Sequence, residues 1–307
     1  MIDIGLVLAR LLHYVATITL AGISFFPLYA YAYREPEIVG FWRRRLLLWT
    51  AVAALISGLL WFAFALANMS GSLSDVADPE MVWAVARDTG FGTIWTARML
   101  LAVIVVVVAT WQHFSTTTDR RDPITSLLAA ALLGSLAGTG HSQIEEGWER
   151  AVHVASGAAH LLAAGAWLGG LVPLGHILFL YGRDRGIVSR DELNTVLLRF
   201  SGMGYLAVAT LIGTGLVHGW FLIGSLSGLF ATSYGKLLVV KLGLFAGMLA
   251  LAISNRFWIV PALTNTPNGS TARTSRLRNH VLGEQFLGFI ILLVVGVLGI
   301  MQPATGQ

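Results

Sequence analysis

Long apolar stretches alternate with short polar segments along the whole chain. Eight of these stretches can be marked out, and each has close to the ~20 residues that a helix needs to cross the ~30 Å hydrocarbon core of a membrane. They cover approximately residues 4–32, 46–67, 94–113, 124–141, 150–180, 195–223, 234–255 and 280–302. The pattern therefore predicts an all-α, polytopic membrane protein with eight transmembrane helices.

The composition agrees with a membrane protein and restricts its chemistry. Apolar residues (AVILMFWYC) make up 56% of the chain and charged residues 12%, against about 45–50% and about 25% in soluble domains. The chain has no cysteine, which excludes disulfides, iron–sulfur clusters and thiolate metal sites. It has no phosphate-binding glycine loop either, which excludes an ATP-driven pump. Its eight histidines, with carboxylates and methionines, are the remaining candidate metal ligands.

The charged residues of the loops are sorted by side. Loops one, three, five and seven carry 13 basic residues, whereas the intervening loops carry only Arg87 and Arg150. Because basic loops stay in the cytoplasm, both termini are predicted to lie outside. The outer loops then sum to −6 and the inner loops to +6. An acidic outer face attracts cations and gives no support to nucleic-acid binding.

The two halves of the chain resemble each other in three pairs of predicted spans. In the first pair, HYVATITLAGISFFPL from His13 matches HLLAAGAWLGGLVPL from His160. In the second pair, Ser57-Gly58-Leu59 matches Thr214-Gly215-Leu216. In the third pair, Phe91-Gly92 followed by Arg98 matches Tyr234-Gly235 followed by Lys241. This register indicates duplication of a four-helix unit, with residues 1–145 as the first repeat and 146–307 as the second. Two units of four spans run in the same direction, so we expect a pseudo-twofold axis along the membrane normal.

Five histidines are predicted to lie in the outer half of the membrane or at its mouth: His13, His141, His153, His160 and His218. His13 and His160 are expected about 15 Å deep, at 1.5 Å of rise per residue. Ionisable groups at that depth are costly and usually functional, although a polar side chain hydrogen-bonded between helices is the simpler alternative. His153 and His160 share one face of span five but lie about 10 Å apart. That separation is too long for one ion and suggests successive stations of a path.

Other side chains near these histidines are candidate accessory residues: Glu145, Glu149, Met99, Trp167 and Lys241. The acids between His141 and His153 complete a set of N and O donors of the kind that Cu(II) favours. Alternatively, Glu149 and His153 form an ordinary i,i+4 surface pair. Met99 is a thioether ligand or a packing residue, and Trp167 continues the helix face of His153 and His160 at the same seven-residue interval.

Arg98, Lys241 and Glu284 are charged residues inside predicted spans. Arg98 and Lys241 occupy the outer thirds of spans three and seven, and we expect them to extend outwards to the membrane surface. The alternative is that they hold an anion or repel a cation near the mouth. Glu284 lies about one helical turn into span eight, with Asn255 or Arg256 as its expected partner.

These residues resemble the copper resistance protein D family of bacterial inner-membrane proteins. The resemblance rests on HLLAAGAWLGGLVPL at 160–174, Arg199-Phe200-Ser201, Thr214-Gly215, Tyr234-Gly235 with Lys241, Asn255-Arg256 leading to Pro261, and Glu284, together with His13 and Gly140-His141. It implies an eight-span protein that imports copper from the periplasm or passes it between periplasmic carriers and the membrane, and the termini predicted to lie outside are then periplasmic. A separate copper chaperone is then the expected partner. On this interpretation copper ions follow the outer histidines, and the protein is not an enzyme.

Two other functions stay open at this point. Half of the chain is also similar to the four-span HemJ-type protoporphyrinogen oxidases, which implies a haem-binding redox enzyme with histidines as axial ligands. The third alternative is a structural or assembly factor without a cofactor. Copper transfer accounts best for the histidines and the acidic loops on the same predicted side.

Overall fold

The computed structural model describes residues 1–32, 35–114, 123–139, 146–183, 187–223, 226–264 and 271–304. Every regular element in these ranges is a helix. The all-α prediction is confirmed.

Within the described ranges, seven helices are long and apolar enough to cross a membrane: Ile2–Tyr29, Glu37–Ser70, Gly90–Phe114, Gly147–Arg183, Arg190–Ile223, Ser233–Leu263 and Ala272–Leu298. We number the α-helical segments α1 Ile2–Tyr29, α2 Glu37–Ser70, α3 Pro79–Asp88, α4 Gly90–Phe114, α5 Pro123–Gly134, α6 Gly147–Ala164, α7 Leu171–Arg183, α8 Arg190–Ile223, α9 Leu226–Ala231, α10 Ser233–Ser254, α11 Val260–Thr264 and α12 Thr271–Leu298. The predicted span 124–141 differs from the others. It is a shorter apolar helix, α5, extended by a 3₁₀ turn at Ser135–Thr139.

Helix α1 lies at the centre of the molecule. It packs against α2, α5 and α12, and against the segment between α6 and α7. Around it, α2 packs on α4 in the first half, while α6 packs on α8 and α10 on α12 in the second half. One apolar core is built mainly from first-half helices and another mainly from second-half helices, and α1 contributes to both.

The two halves meet where α1 crosses the segment between α6 and α7. A Cβ atom on Gly22 would overlap the backbone of Gly169, and a Cβ on Gly169 would overlap Gly22 and the carbonyl of Ile18. Glycine at both positions lets the two backbones touch, as small residues do at membrane helix interfaces. These are the two glycines that occupy matching positions in the sequence repeat.

Two short helices lead into α4 and α10 in the same way. Thr89 Oγ1 accepts a hydrogen bond from the Gly92 amide (2.9 Å), and Thr232 Oγ1 accepts one from the Gly235 amide (3.0 Å). A Cβ on either glycine would overlap carbonyl groups of the short helix before it, α3 or α9. The Phe-Gly and Tyr-Gly motifs of the repeat therefore mark matching tight entries into α4 and α10.

Two segments of the second half are π-helical. Gly165–Gly169 joins α6 to α7, and Asn255–Ile259 joins α10 to α11. In the described ranges of the first half, α1, α2 and α4 carry no such segment. A π-helical turn is rare, shifts the register of the helix that contains it, and occurs frequently at functional sites.

Candidate metal site

The first-half histidine, His13, has both ring nitrogens occupied. Ser57 Oγ donates to the Ala53 carbonyl (2.6 Å), so it accepts from the Nδ1–H of His13, which also points at the Ala54 carbonyl (both 3.1 Å). The lone pair of His13 therefore lies on Nε2, and it accepts a hydrogen bond from the Arg98 guanidinium (3.0 Å). The neutral ring is fully satisfied.

Arg98 points into the bundle rather than towards the surface. Its side chain is 2% exposed and donates to the Leu132 carbonyl (2.8 Å) and to Ser135 Oγ as well as to His13. The expectation that Arg98 extends outwards is wrong, because the end of α5 and the 3₁₀ turn after it supply polar acceptors inside the bundle. Both terminal nitrogens of the guanidinium are thus paired, while its buried Nε has no hydrogen-bond partner. Pairing of this kind offsets much of the cost of burying the group.

Tryptophans enclose the His13 ring. The Trp61 and Trp95 rings both lie 5.6 Å from it, and Trp95 Nε1 donates to the Gly58 carbonyl (3.1 Å). Met99 packs over Gly58 with its thioether, in the apolar core. His13 is 0% exposed, so a metal ion can reach its Nε2 only after Arg98 has been displaced.

The matching histidine of the second half, His160, is fixed in the same tautomer but lacks the guanidinium. Thr214 Oγ1 donates to the Thr210 carbonyl (2.6 Å), so it accepts from the Nδ1–H of His160 (2.8 Å). The lone pair of His160 therefore also lies on Nε2. In the described part of the chain no donor is hydrogen-bonded to that atom. A hydrogen bond from one ring nitrogen to a fixed acceptor orients the imidazole so that the other nitrogen can bind a metal.

His218 lies between His153 and His160. Its ring centroid is 5.3 Å from each of theirs, and its buried Nε2 has no hydrogen-bond partner. The Nε2 atom rests against Gly157, which lies between the other two histidines on α6. The sequence places His153 and His160 too far apart to share an ion, and the structure adds a third imidazole that bridges them.

His153 lies nearest the N-terminal end of α6. It is buried and stacks on Phe221, with ring centroids 4.9 Å apart and planes at 5°. Glu149, one turn earlier on α6, is exposed in the first turn of the helix. His141 and Glu145 lie outside the described residues.

The remaining accessory candidates divide between two places. Lys241 is partly buried and acts electrostatically on both His160 and His218. Trp167 lies away from the histidines: it packs edge-on against Phe245 and donates a hydrogen bond to the Glu284 carboxyl. The π-helical segment that contains Trp167 breaks the seven-residue register on which its prediction rested.

No group of three or more histidine, aspartate or glutamate side chains converges tightly enough to hold one metal ion in the residues that the structure describes. The three second-half histidines instead form two successive pairs, which we call the histidine ladder: His153 with His218, and His218 with His160. Imidazole suits copper. Imidazoles that meet in pairs, rather than in a group of three or more, suit an ion that is passed on better than one that is stored.

The bridging role of His218 is absent from the sequence predictions, although the sequence carries a signal for it. Thr214 and His218 are four residues apart and share one face of α8. Thr214 matches Ser57 in the repeat, so His218 matches Trp61. The same face of the helix thus carries an imidazole in one half and an indole in the other.

The chain matches two family models, "Copper resistance protein D-like, N-terminal domain" over residues 1–152 and "Copper resistance protein D" over residues 194–298. It is 30% identical over 304 residues to copper resistance protein D of Pseudomonas syringae pv. tomato, covering 94% of each chain. It is 29% identical over 255 residues to inner membrane protein YebZ of Escherichia coli (strain K12), covering 82% of each. It is 32% identical over 248 residues to copper transport protein CutJ of Bacillus subtilis (strain 168), covering 79% of this chain and 44% of that one.

No solved protein structure matches the chain. These matches lend no support to the haem alternative, and the His13 Nε2 that would serve as an axial ligand already accepts a hydrogen bond from Arg98. The family models and the relative that matches nearly the whole length agree with the residues that carried the resemblance. The chain belongs to the copper resistance protein D family.

Proposed function

We propose that this protein transfers copper in the bacterial inner membrane, and that the ion moves along the histidine ladder of the second half. The observation that carries the proposal is His218, whose buried Nε2 has no hydrogen-bond partner and lies between two further imidazoles. Leaving a buried polar atom unpaired costs about 1–3 kcal/mol. A transient metal ligand offsets that cost when the ion is present.

The ladder has a direction. His153 lies in the second turn of α6, at the end that the basic-loop rule places outside, and His160 lies two turns deeper. An ion that enters at His153 is handed to His218 and then to His160, each step between rings 5.3 Å apart. Lys241 lies near the inner pair and its positive charge weakens cation binding there, which favours release over retention.

The outer loop between α5 and α6 collects the ion in this proposal. His141, Glu145 and Glu149 supply imidazole and carboxylate donors there, as the sequence predicts. A separate periplasmic copper chaperone delivers copper to this mouth. The protein acts as a transfer protein and not as an enzyme, in keeping with the names of its relatives.

We also propose eight membrane crossings in two parallel four-helix repeats, with both termini in the periplasm. The short α5 and its 3₁₀ turn provide the eighth crossing, since 3₁₀ geometry covers more length per residue, about 2.0 Å. Three matched contacts support the repeat: His13 with Ser57 and His160 with Thr214, the capped entries at Gly92 and Gly235, and the meeting of Gly22 with Gly169.

Copper binding to the purified protein tests the ladder. We expect His218→Phe to remove most of the copper bound per protein, since the ring volume is kept while the bridging nitrogen is lost. Equilibrium dialysis followed by elemental analysis measures the bound copper. The matched control is His113→Phe, a histidine at the end of α4 and outside the ladder, which should bind as the wild type does.

Copper accumulation in cells extends the same test to transfer. Cells that express the His218→Phe variant should accumulate less copper than cells with the wild type or His113→Phe, at equal protein levels in the membrane. Equal copper binding and equal accumulation by all three proteins would overturn the proposal.

A further inference from the structure

Glu284 is a carboxyl buried in the membrane part of the protein, and it plays no part in the histidine ladder. Its side chain is 2% exposed, in the middle of α12. Asn255 Nδ2 donates to its Oε1 at 2.7 Å, and the Trp167 indole is a second donor. The sequence prediction of Asn255 as partner is confirmed, whereas an ion pair with Arg256 is not, since the Arg256 Nε donates to the Tyr205 hydroxyl (3.2 Å).

Both π-helical segments converge on this carboxyl. Trp167 belongs to Gly165–Gly169 and Asn255 opens Asn255–Ile259, and each segment packs against α12. The π-helical turns are what bring these two side chains to Glu284. A site built from two such turns can change its contacts by a local shift of register, without unfolding a helix.

The amide of Asn255 has a free acceptor. Its Oδ1 atom is buried and has no hydrogen-bond partner, while its Nδ2 donates to Glu284. A neutral carboxylic acid offers one acceptor and one O–H donor, which match the donor and acceptor of an amide. An ionised carboxylate offers acceptors only and leaves the amide oxygen unpaired.

No positive charge compensates an ionised Glu284. In the described residues its carboxyl interacts with the two neutral donors, and no charged group acts on it electrostatically. On α10, Lys241 acts on His160 and His218 instead. An isolated buried carboxylate is costly, and the group takes up a proton to avoid that cost.

The other ionisable groups on helices packed against α12 are engaged elsewhere or lie apart. His176 on α7 stacks on Trp42 with centroids 3.9 Å apart, and Arg10 on α1 lies beside Gly299, beyond the far end of α12. On α12 itself, His280 lies one turn before Glu284 and its buried Nδ1 has no hydrogen-bond partner, but it does not act electrostatically on Glu284. Lys236 at the start of α10 and Arg183 at the end of α7 are exposed at helix ends.

The first half has a neutral pair at the matching position. Gln112 and Asn255 each lie 14 residues after the basic residue of their span, Arg98 or Lys241. Gln112 Nε2 donates to the Thr125 hydroxyl, a group that does not ionise in the physiological range. Of these two described pairs, only the one in the second half combines an amide with an ionisable partner, and that half also carries the histidine ladder.

We propose that Glu284 and Asn255 form a proton-binding site, and that proton exchange there accompanies copper transfer. The resting state holds Glu284 as a neutral acid paired with the Asn255 amide. When the π-helical segments separate from α12 and water enters, the O–H bond breaks, the proton passes to water and the carboxylate remains. The link to copper rests on the proposed function, whereas the proton site itself does not.

Infrared spectroscopy of the purified protein without copper tests the proton site. At neutral pH the carboxyl groups that are exposed to water are ionised, since their pKa values are about 4. A carbonyl band from a protonated carboxylic acid therefore comes from a buried carboxyl group. We expect this band in the wild type, its loss in Glu284→Gln, and a shift of its frequency in Asn255→Leu. Glu149→Gln, an exposed carboxyl, is the matched control and should keep the band. Spectra of wild type and Glu284→Gln that coincide would overturn the site.

Proteoliposomes test the coupling. We expect a pH gradient to change the rate of copper movement by the wild type, and Glu284→Gln to abolish that dependence while it binds as much copper as the wild type. Copper movement that responds equally to the gradient in both proteins would overturn the coupling. If the wild type moves no copper under any gradient, the proposed function fails, and the infrared result still decides the proton site.

Discussion

The two halves of the molecule place the same histidine in opposite situations. His13 and His160 match in the sequence repeat, and each donates from Nδ1 to a hydroxyl that itself donates to its own helix. In the first half Arg98 covers the remaining nitrogen and tryptophans enclose the ring. In the second half the His160 ring lies 5.3 Å from the His218 ring, and in the described residues no donor is hydrogen-bonded to its Nε2.

A few substitutions within a shared framework produce this difference. Trp61 in the first half is replaced by His218 in the second, and Arg98 by Lys241. An arginine carries five donors in a rigid fork and can satisfy several acceptors at once, whereas a lysine is a flexible point charge. The first half therefore uses its polar residues to hold the bundle together. In the second half no donor is hydrogen-bonded to the Nε2 of His160 or of His218 in the described residues, as the proposed ion path requires.

The largest expected effect is on stability, in the first half, where Arg98 covers the Nε2 of His13. Arg98→Met leaves the His13 Nε2 and the Ser135 hydroxyl oxygen without the guanidinium donor, whereas the Leu132 carbonyl keeps the Ser135 hydroxyl as a donor (3.0 Å). We expect the free energy of unfolding to fall by about 3–5 kcal/mol, since each buried acceptor left unpaired costs about 1–3 kcal/mol. Denaturant unfolding in detergent measures the change.

The matched control is Lys241→Met, in the other half. Lys241 is partly buried, and no hydrogen bond of its ammonium group is present in the described part of the chain. We expect a loss below about 1 kcal/mol, as for most substitutions outside a network. Equal losses of unfolding free energy in the two variants would show that Arg98 and Lys241 contribute equally to stability. That result would contradict the proposed difference between the halves.

The contact between the halves gives the next largest effect. A side chain in Gly169→Leu would overlap the backbone of Gly22 and the carbonyl of Ile18. Overpacking of this kind typically costs about 1–3 kcal/mol, so the thermal midpoint should fall. Gly202→Leu on α8 is the control, because a Cβ at Gly202 meets open space. If both variants have the thermal midpoint of the wild type, the close contact of Gly22 with Gly169 does not contribute to stability.

The smallest effects separate stability from copper binding at matching hydroxyls. Thr214→Val removes the acceptor that keeps the lone pair of His160 on Nε2. Loss of a hydrogen-bond acceptor that orients a metal-binding imidazole weakens metal binding about tenfold. Isothermal titration with copper measures this change in affinity. Ser57→Ala should lower the free energy of unfolding by about 1 kcal/mol and leave copper affinity unchanged. A copper affinity that falls with Ser57→Ala would place His13 in the path.

The sequence predicted the helices and the family, but not the state of each polar side chain. The apolar runs gave the positions of the long helices because a membrane imposes their length and hydropathy. Arg98 was expected at the surface, since a basic residue in the outer third of a span usually extends there. The acceptors that hold it inside come from residues 34 and 37 positions later in the chain. Helical periodicity carries no information on such partners.

The same limit applies to the histidines. Spacing within one helix gave the expected separation of His153 and His160, but it could not reveal that α8 places His218 between them. Likewise Trp167 left the predicted face, because a π-helical turn adds a residue to the helix and rotates the side chains beyond it. His141 and Glu145 lie outside the described residues and stay predictions.

By itself the sequence determined that the chain is helical, that it belongs in a membrane and that its metal chemistry is limited to imidazole, carboxylate and thioether ligands. These properties follow from composition and from the periodicity of apolar residues within each helix, which does not depend on the neighbouring helices. Only the tertiary structure decided that the Nε2 of His13 is hydrogen-bonded whereas that of His218 is not, and that Asn255 is the hydrogen-bond donor to Glu284. Those outcomes depend on how helices meet, and a hydrogen bond between two helices is fixed by their packing rather than by either segment alone.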